Sequence, residues 1–189
     1  MNLFSDGLFS RLPELRTQRL LLRRMSIADA PDVFVYSRDP EVSRHVLWDA
    51  HRSIQDSRAY LRYILRQYRQ NDPSSWGIEL IETGRLIGTI GYMWWNRENR
   101  SAEVGYSLSR AHWNQGLMTE ALREVIRFGF DEMHLNRIEA QHEVVNPASG
   151  RVMEKVGMRR EGILRGRLYN KGKFVDVALY AILRGDGLL

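Results

Sequence analysis

The stretch Ala102–Met133, AEVGYSLSRAHWNQGLMTEALREVIRFGFDEM, contains the patterns of a strand, a short polar turn and a helix in one run. In its first part every second residue is a large apolar one, so that Val104, Tyr106 and Leu108 lie on one face, as in a half-buried strand. Its last part repeats apolar residues at the spacing of an amphipathic helix. The polar segment His112–Gly116 lies between them. The sequence therefore predicts a strand that turns directly into a helix.

A helix that begins in such a turn offers a site for an anion, because its first N–H groups lack partners and its dipole favours negative charge. A Walker loop would need Lys and then Ser or Thr after its last glycine, but Leu117 and Met118 follow Gly116. A dinucleotide fingerprint would need three spaced glycines, and this turn has one. Two interpretations remain: a loop that holds a pyrophosphate through backbone amides, or a helix start without a ligand.

The run EVGYSLSRAHWNQGLMTEAL resembles motif A of the GNAT N-acetyltransferase superfamily, in the RimJ/RimL-type subgroup that modifies the N-termini of ribosomal proteins. Four further segments are similar to the family: TQRLLLR at Thr17–Arg23, NPASGRVMEKVGM at Asn146–Met158, EGILR at Glu161–Arg165, and the FVDVALYAIL ending. Together the matches span residues 17 to 183 in the family's order. The resemblance therefore covers nearly the whole chain.

The resemblance implies an α/β (α+β) fold, with a mixed, mostly antiparallel twisted sheet and helices on both faces. Two central parallel strands splay apart, where one of them has a bulge. It also implies acetyl-CoA as cofactor, and direct transfer of the acetyl group to a primary amine, the α-amine of a protein N-terminus. The implied cofactor-binding residues are Tyr106, Ser107, Leu108, Trp113, Asn114, Gln115, Gly116, Leu117, Met118, Thr119, Asn146 and Ser149.

Three residues depart from the general family pattern. Trp113 fills the first loop position, where Arg or Gln is general, although Trp is common there in this subgroup. Met118 fills the last loop position, where Gly or Ala is general, and so brings a bulkier residue close to the pyrophosphate. Met153 stands where many relatives carry a Tyr that is thought to protonate the departing thiolate. The resemblance places Ser149 near the splayed strands, where it could bond the sulfur and relay a proton, a role that Met153 cannot take over.

An alkylamine is mostly protonated at neutral pH, so its acetylation calls for a base, acting directly or through water. Glu103 on the central strand is the first candidate, and the alternative is a solvated or ion-paired strand residue. If Glu103 is the base, Glu103→Gln lowers turnover by about tenfold or more. Gln141 stands where a related enzyme type carries a basic Glu. An amide cannot accept a proton, so Gln141 is expected only to orient water.

Composition limits the function classes. The 189 residues suit one N-acetyltransferase domain over 1–189, with an irregular N-terminal extension over 1–16. No apolar run is long enough to span a bilayer, and the start lacks the pattern of a secretory signal, so a cytoplasmic location and no membrane partner are expected. The absence of cysteine excludes disulfides, thiolate metal sites and an acyl-cysteine intermediate. No metal site is predicted.

The net charge of +5 fits an acidic ligand or a nucleic-acid-rich partner, or simply a mildly basic surface with no partner. Two basic helices, predicted to start at Ser26 and Ser53, invite a helix-turn-helix interpretation, but the linker between them is too long for that motif. No direct binding to nucleic acid is therefore expected. In the family that the sequence resembles, this helical pair closes over the acceptor pocket, which makes His45, Trp48 and Tyr68 candidate acceptor contacts, with core packing as the alternative for the aromatics.

Two other functions stay open at this point. One is a small-molecule transferase of the same fold, with a polyamine, an amino acid or an antibiotic as acceptor. The other is a non-catalytic acyl-CoA-binding protein. Fold analogy also suggests a homodimer through the final hairpin. The predicted elements after residue 70 are strands at Trp76–Glu82, Arg85–Trp95 and Asn136–Val145, a helix from Asn146 that ends before Gly157, and a hairpin over Met158–Leu183.

Overall fold

The computed structural model describes residues 7–187. The strands are β1 (Leu15–Arg16), β2 (Leu20–Arg23), β3 (Ser75–Leu80), β4 (Arg85–Asn96), β5 (Ser101–Leu108), β6 (Arg137–Glu143), β7 (Arg159–Asn170) and β8 (Lys173–Leu183). The helices are α1 (Ala30–Ser37), α2 (Pro40–Ser43), α3 (Ile54–Gln70), α4 (Leu117–Asp131) and α5 (Pro147–Lys155). Short 3-10 turns, Ile27–Asp29 and Arg110–His112, precede α1 and the loop before α4.

The strands form one eight-stranded sheet in the order β1-β2-β3-β4-β5-β6-β8-β7. All neighbours are antiparallel except β5 and β6, which are parallel because α4 connects them as a crossover. Their pairing ends after three residue pairs, the last of which joins Glu103 to Glu139. From Val104 onward β5 pairs with β4 alone. The predicted mixed sheet with a splayed central pair is confirmed.

The bulge that accompanies the splay lies on β4. The prediction that it lies on one of the two splayed strands is wrong. Tyr92 pairs with Val104 and Trp94 pairs with Glu103, so Met93 is an extra residue of β4. A bulge increases the local twist of a sheet. Because it stands opposite the last residues of β5 that pair with β6, it turns the rest of β5 away from that neighbour.

Helices cover both faces of the sheet. On one face α4 packs over β4, where the Tyr92 hydroxyl donates to the Val125 carbonyl at 2.8 Å. Gly129 makes this approach possible, since a Cβ there would lie 2.2 Å from that hydroxyl. On the other face Tyr68 of α3 is fully buried and donates to the Ser75 carbonyl at 2.6 Å. Tyr68 is therefore a core residue rather than an acceptor contact.

The helix boundaries follow the predicted capping signals closely. Ser26 and Ser53 each form a capping box with the Asp three residues on, before the 3-10 turn and α3 respectively. Asn146 precedes α5 as predicted, but its side chain makes no capping hydrogen bond. Gly157 follows the C-terminal end of α5 with a φ of 92°, in the left-handed region.

The N-terminal segment is packed more tightly than the predicted irregular extension. Its last two residues form β1, and Leu8, Phe9 and Leu12 are buried. The ring of Phe9 meets Tyr92 edge-on, with centroids 6.5 Å apart. The Asn71 side-chain oxygen accepts the Phe9 N–H at 2.8 Å. The segment therefore closes one side of the core. Residues 1–6 of the predicted extension lie outside the described part of the chain.

Candidate active site

A cleft of about 490 Å³ passes through the gap between β5 and β6. Adjacent residues of β5 such as Gly105 and Tyr106 both border it, although successive side chains of a strand point to opposite faces. The N-terminal part of α4 and α5 line the cleft on one face of the sheet. The segment Glu41–Val46, which includes the end of α2, lines it on the other. Two ligands can therefore meet in the gap from opposite sides.

The start of α4 has the features of an anion site. Gly116 is the N-cap with a φ of 77° and has no side chain to bond the helix amides. The Glu120 N–H donates to the Gly116 carbonyl at 3.0 Å, which is the first bond of the helix. The amides at 117–119 precede that bond and have no intrahelical acceptor. With the helix dipole, these amides fit the pyrophosphate of coenzyme A.

Trp113 within the loop, and Thr17 and Arg19 from a distant segment, brace the loop and the start of α4. The Trp113 indole N–H donates to the Leu108 carbonyl at 2.8 Å, which ties the loop to the end of β5. The Arg19 guanidinium donates to the Gln115 carbonyl at 3.0 Å and to the Glu120 carboxylate at 2.7 Å. The Thr17 hydroxyl donates to the same carboxylate at 2.6 Å. The similarity of Thr17–Arg23 to the family was the available signal for this brace, but its contact with Glu120 was not predicted.

Glu120 remains ionised despite its position. Burial works to raise the pKa of Glu120, but hydrogen bonds from Thr17 and Arg19 outweigh it and hold the pKa below its ordinary value. The charge of Arg19 then balances this carboxylate beside the amides that face the anion. The brace therefore stabilises the first turn of α4 without leaving an uncompensated negative charge at the anion site.

The cleft brings together nearly all of the predicted cofactor residues. Those that line it are Tyr106, Ser107, Leu108, Trp113, Asn114, Gly116, Leu117, Met118, Thr119, Asn146 and Ser149. Gln115 does not line it, since its amide donates back to the Ala111 carbonyl at 3.0 Å. Met118 borders the cleft but is only 6% exposed and packs in the core, so most of the bulk that departs from the family pattern is buried.

Tyr106 and Ser149 form a pair across the cleft. The Tyr106 hydroxyl lies 3.0 Å from the Ser149 hydroxyl and 3.1 Å from the Ser149 carbonyl. Burial raises the pKa of Tyr106 well above its ordinary value, so this phenol stays protonated. Met153 is 1% exposed and carries no proton to transfer. Ser149 and Tyr106 are therefore the hydroxyl groups that α5 and β5 bring to this part of the cleft.

Glu103 and Gln141 are hydrogen-bonded at the point where the strands part. The Gln141 amide donates to one oxygen of Glu103 at 3.0 Å, and the Trp94 indole donates to the other at 2.8 Å. Gln141 lines the cleft, whereas Glu103 does not. The role of Glu103 as a base stays a prediction, and Gln141 is the residue that contacts Glu103 and also lines the cleft.

A pair that the sequence did not predict, His45 and Glu143, lies on the same face of the sheet. The His45 Nδ1 atom is 2.8 Å from the Glu143 carboxylate, and the Asn170 amide donates to the other carboxylate oxygen at 2.5 Å. Burial works to raise the pKa of Glu143, but the bonds from Asn170 and His45 keep it below its ordinary value. His45 lines the cleft, while Trp48 does not and packs near His51. His45 and Glu143 are 98 residues apart, and no sequence spacing links them.

Within residues 7–187 no group of His, Asp or Glu side chains could hold a metal ion. In the same part of the chain, no helix is both long and apolar enough to cross a bilayer.

The acetyltransferase (GNAT) domain family matches residues 19–159. The uncharacterized N-acetyltransferase p20 of Bacillus licheniformis is 34% identical over 172 residues, which are 91% of this chain and 97% of p20. The ribosomal protein uS5-alanine N-acetyltransferase of Escherichia coli is 27% identical, over 95% of this chain and 96% of that protein. The crystal structure of a GNAT-family acetyltransferase from Bacillus anthracis has a TM-score of 0.81 at 28% identity, and covers 90% of this chain and 98% of its own. The chain therefore belongs to the GNAT acetyltransferase family and is an N-acetyltransferase that uses acetyl-CoA.

Proposed function

We propose that this N-acetyltransferase acts on the α-amine at the N-terminus of a protein, of the ribosomal-protein alanine or serine type. The observation that carries the proposal is the open cleft through the sheet. Its acceptor side is bordered by Glu41–Val46, where Glu41 and Arg44 form an exposed ion pair at 3.2 Å. A small polyamine or amino acid is better matched by an enclosed acidic pocket. The named activity of the Escherichia coli relative supports the same class of acceptor.

The donor side of the cleft would be held by main-chain groups. The amides at 117–119 would bind the pyrophosphate, and Asn146, whose side chain makes no capping bond, would meet the pantetheine arm. Acetyl-CoA, when bound, supplies an acetyl group activated as a thioester. The edge of β5 beyond Glu103 is free of β6, so strand amides there are available to the carbonyl oxygen. Such donors contribute a few kcal/mol to the lowering of a barrier.

Ser149 would return a proton to the departing sulfur. Its hydroxyl lies 3.0 Å from the Tyr106 hydroxyl, and both residues line the cleft. Since Met153 offers no proton, Ser149 is the donor that α5 presents at this place. Direct transfer in a complex of enzyme, donor and amine fits a chain without cysteine.

The test is a panel of amines mixed with acetyl-CoA, with release of coenzyme A as the readout. The panel contains peptides that begin with Ala, Ser or Met, the same peptides with a blocked N-terminus and one internal Lys, spermidine, and free amino acids. We expect release with the unblocked peptides that begin with Ala or Ser, and mass spectrometry should place the acetyl group on the α-nitrogen. Transfer to spermidine, to free amino acids or to the internal Lys alone would contradict the proposal.

A homodimer through the final hairpin and a cytoplasmic location stay predictions. In support of the dimer, β7 is an edge strand of the sheet, and Ile163, Tyr169 and Phe174 of the hairpin are exposed apolar residues. Sedimentation velocity would give the mass of the particle in solution. A monomer at concentrations of about 100 times those used in assays would contradict the dimer, since such an excess would populate even a weak one.

A further inference from the structure

We propose that His45 is the general base that takes a proton from the acceptor amine, and that Glu143 and Asn170 hold its imidazole in the tautomer that can do so. The inference rests on the proposed function, because it requires an amine acceptor in the cleft. His45 would be a catalytic residue in direct contact with the amine. Glu143 and Asn170 would be positioning residues that act through His45.

The contacts of Glu143 determine which nitrogen of His45 carries the proton. Glu143 is 6% exposed, and one of its oxygens accepts the Asn170 amide at 2.5 Å. The other lies 2.8 Å from His45 Nδ1. An ionised carboxylate can only accept hydrogen bonds, so Nδ1 must be the protonated nitrogen of a neutral imidazole. The Nε2 atom then keeps a free lone pair.

The position of His45 matches the acceptor side of the cleft. His45 lines the cleft with its side chain 23% exposed, on the face opposite α4. Glu143 follows Gln141 by two residues and faces the same way as Gln141 and Glu103. The imidazole therefore stands on the side from which the amine reaches the gap between β5 and β6.

The loop that carries His45 is anchored from the final hairpin. The Lys171 ammonium donates to the Val46 carbonyl at 2.9 Å and to the Trp48 carbonyl at 3.1 Å. Asn170, the adjacent residue, bonds Glu143. The turn between β7 and β8 therefore fixes both the base and its partner. Such support from surrounding residues keeps a catalytic side chain close to its working geometry.

Charged groups from three elements face this pair. On the segment of His45, Glu41 and Arg44 are bonded to each other at 3.2 Å. From the hairpin, Lys171 lies 3.6 Å from Asp49, and the charge of Lys173 helps to hold the pKa of Glu143 below its ordinary value. From β6, Glu143 is the charged group that contacts the imidazole in the described part of the chain. After proton transfer the Glu143 carboxylate would therefore be in direct contact with the imidazolium of His45.

With His45 as the base, every proton that leaves the acceptor nitrogen during the transfer is accounted for. The acceptor enters as an ammonium and leaves as a neutral amide, so its nitrogen loses two protons. His45 Nε2 takes one and releases it to solvent, and the thiolate of coenzyme A ends with the other. The amine nitrogen forms its bond to the acetyl carbon while the C–S bond breaks, and the bonding pair leaves on sulfur. No oxidant, reductant or metal is required.

His45 is better placed for this role than Glu103. Both oxygens of Glu103 already accept hydrogen bonds, from Trp94 and Gln141, and Glu103 does not border the cleft. The Nε2 atom of His45 has no such bond to the described residues, and His45 does border the cleft. A base must lie within reach of the proton that it abstracts, directly or through one water.

The first test determines the tautomer in the unmodified protein, and a variant serves only to assign the signal. Nitrogen and proton NMR of the imidazole groups in the unmodified protein, with the His45 signal assigned by its loss in His45→Asn, reports the tautomer of the neutral ring. We expect the proton on Nδ1 of His45. A neutral His45 protonated on Nε2 would overturn the proposal, since that nitrogen could not accept a proton.

The second test follows kcat/KM with pH for the unmodified enzyme and for His45→Asn, in which the amide can still donate to Glu143. At about pH 6.5, where an α-amine is mostly protonated, we expect kcat/KM of the variant to be roughly a hundredfold lower than that of the unmodified enzyme. At about pH 9 the amine is largely neutral without help, so the loss should shrink to within about threefold. His134→Asn is the matched control, because His134 is exposed, has a φ of 53° that Asn tolerates, and lies in the turn before β6.

Glu143→Gln tests the positioning role. The amide cannot impose the Nδ1–H tautomer, so the NMR signal should report a mixture of tautomers, and kcat should fall by about tenfold or more with KM little changed. A variant that keeps both the tautomer and the wild-type kcat would overturn the role of Glu143. Thermal unfolding of each variant shows whether a loss of activity comes from loss of the fold. If a variant is unfolded, the proposal is judged by the His45 tautomer in the unmodified protein.

Three kinetic outcomes judge the proposal. A loss in His45→Asn that is large at about pH 6.5 and small at about pH 9 supports it. A loss of equal size at both pH values overturns it, because His45 would then act on binding or packing. The same pH-dependent loss in Glu103→Gln, and not in His45→Asn, also overturns it and assigns the base to Glu103. An amine panel that finds small amines as acceptors overturns the proposed substrate class instead, and the pH test then runs on the amine that is accepted.

Discussion

Gly116 has a φ of 77° at the N-cap of α4, in a region that a side chain enters only under strain. Replacing it with Ala leaves room for the Cβ, whose nearest neighbour is 3.6 Å away, but imposes a backbone cost of roughly 1–3 kcal/mol. The chain relieves this strain by rotating φ, which turns the following amides away from the pyrophosphate. We expect Gly116→Ala to weaken coenzyme A binding by about tenfold, measured by titration calorimetry.

Gly84→Ala is the matched control for that substitution. Gly84 also has a positive φ, of 63°, and nothing lies within 4 Å of its Cβ position in the turn between β3 and β4. The variant should lose similar stability while it binds coenzyme A as the unmodified protein does. Equal affinities in both variants would show that the amides at the start of α4 do not hold the pyrophosphate.

Ser149 and Tyr106 yield a second prediction at the scale of the residue. Removing the hydroxyl in Ser149→Ala should slow single-turnover transfer by about tenfold and leave coenzyme A affinity unchanged within about twofold, because the bond matters only when sulfur departs. Tyr106→Phe should slow transfer less, since it loosens Ser149 without removing it. The double variant should match Ser149→Ala alone. A normal transfer rate in Ser149→Ala would rule out the relay.

The brace between α4 and the turn that joins β1 to β2 carries a prediction at the scale of the element. Glu120 accepts bonds from Thr17 and Arg19, and its pKa is held below its ordinary value of 4.5. The bonds therefore stabilise the fold fully above about pH 4.5, and the contribution is lost as the pH falls through the lower pKa of the folded state. Glu120→Gln should cost about 1–2 kcal/mol in the free energy of unfolding at neutral pH.

Urea denaturation of the unmodified protein and of Glu120→Gln measures the difference in their free energies of unfolding. The difference should be smaller at about pH 3 than at neutral pH. Glu124→Gln is the control from the next turn of α4. Glu124 pairs with the exposed Arg127 at 2.6 Å, an i, i+3 contact that contributes only a few tenths of a kcal/mol. A cost for Glu120→Gln that is no larger than that of the control would show that the brace is not stabilising.

Local signals in the sequence predicted most elements correctly. The alternation at Val104, Tyr106 and Leu108, the capping boxes at Ser26 and Ser53, and Gly157 all act within a few residues of themselves. Their physical causes, side-chain periodicity and backbone hydrogen bonding, are local as well. For the same reason the boundaries of β5 and α4 could be predicted without knowledge of the rest of the chain.

The contacts that complete the cleft could not be predicted in this way. The bulge at Met93 depends on how β4 pairs with β5, which no local pattern specifies. The contact between Thr17 and Glu120 joins residues 103 positions apart, and that between His45 and Glu143 joins residues 98 apart. Such pairs follow from the order of strands in the sheet. The resemblance to a family supplied the fold, but it did not indicate the partner of His45.

At the scale of the whole molecule, the segment before β1 closes the core. Phe9 is fully buried against Tyr92 and Trp95. Phe9→Ala should cost about 3–5 kcal/mol in the free energy of unfolding, as is typical when a core phenylalanine is truncated. Phe174→Ala makes the same change at a side chain that is 73% exposed, and should cost less than about 0.5 kcal/mol. Equal costs, measured by chemical denaturation, would contradict the packed N-terminal segment.

Only three residue pairs hold β5 to β6, and the opening beyond them runs from one face of the sheet to the other. In the proposed reaction the thioester and the amine therefore enter the cleft from opposite faces of the sheet. A product that stays bound at one entrance would not block the other. Double-reciprocal plots of the initial rate against one substrate, at several fixed concentrations of the other, should give intersecting lines. Parallel lines, which indicate a ping-pong mechanism, are not expected. Desulfo-coenzyme A should compete with the donor alone, and a blocked peptide with the acceptor alone.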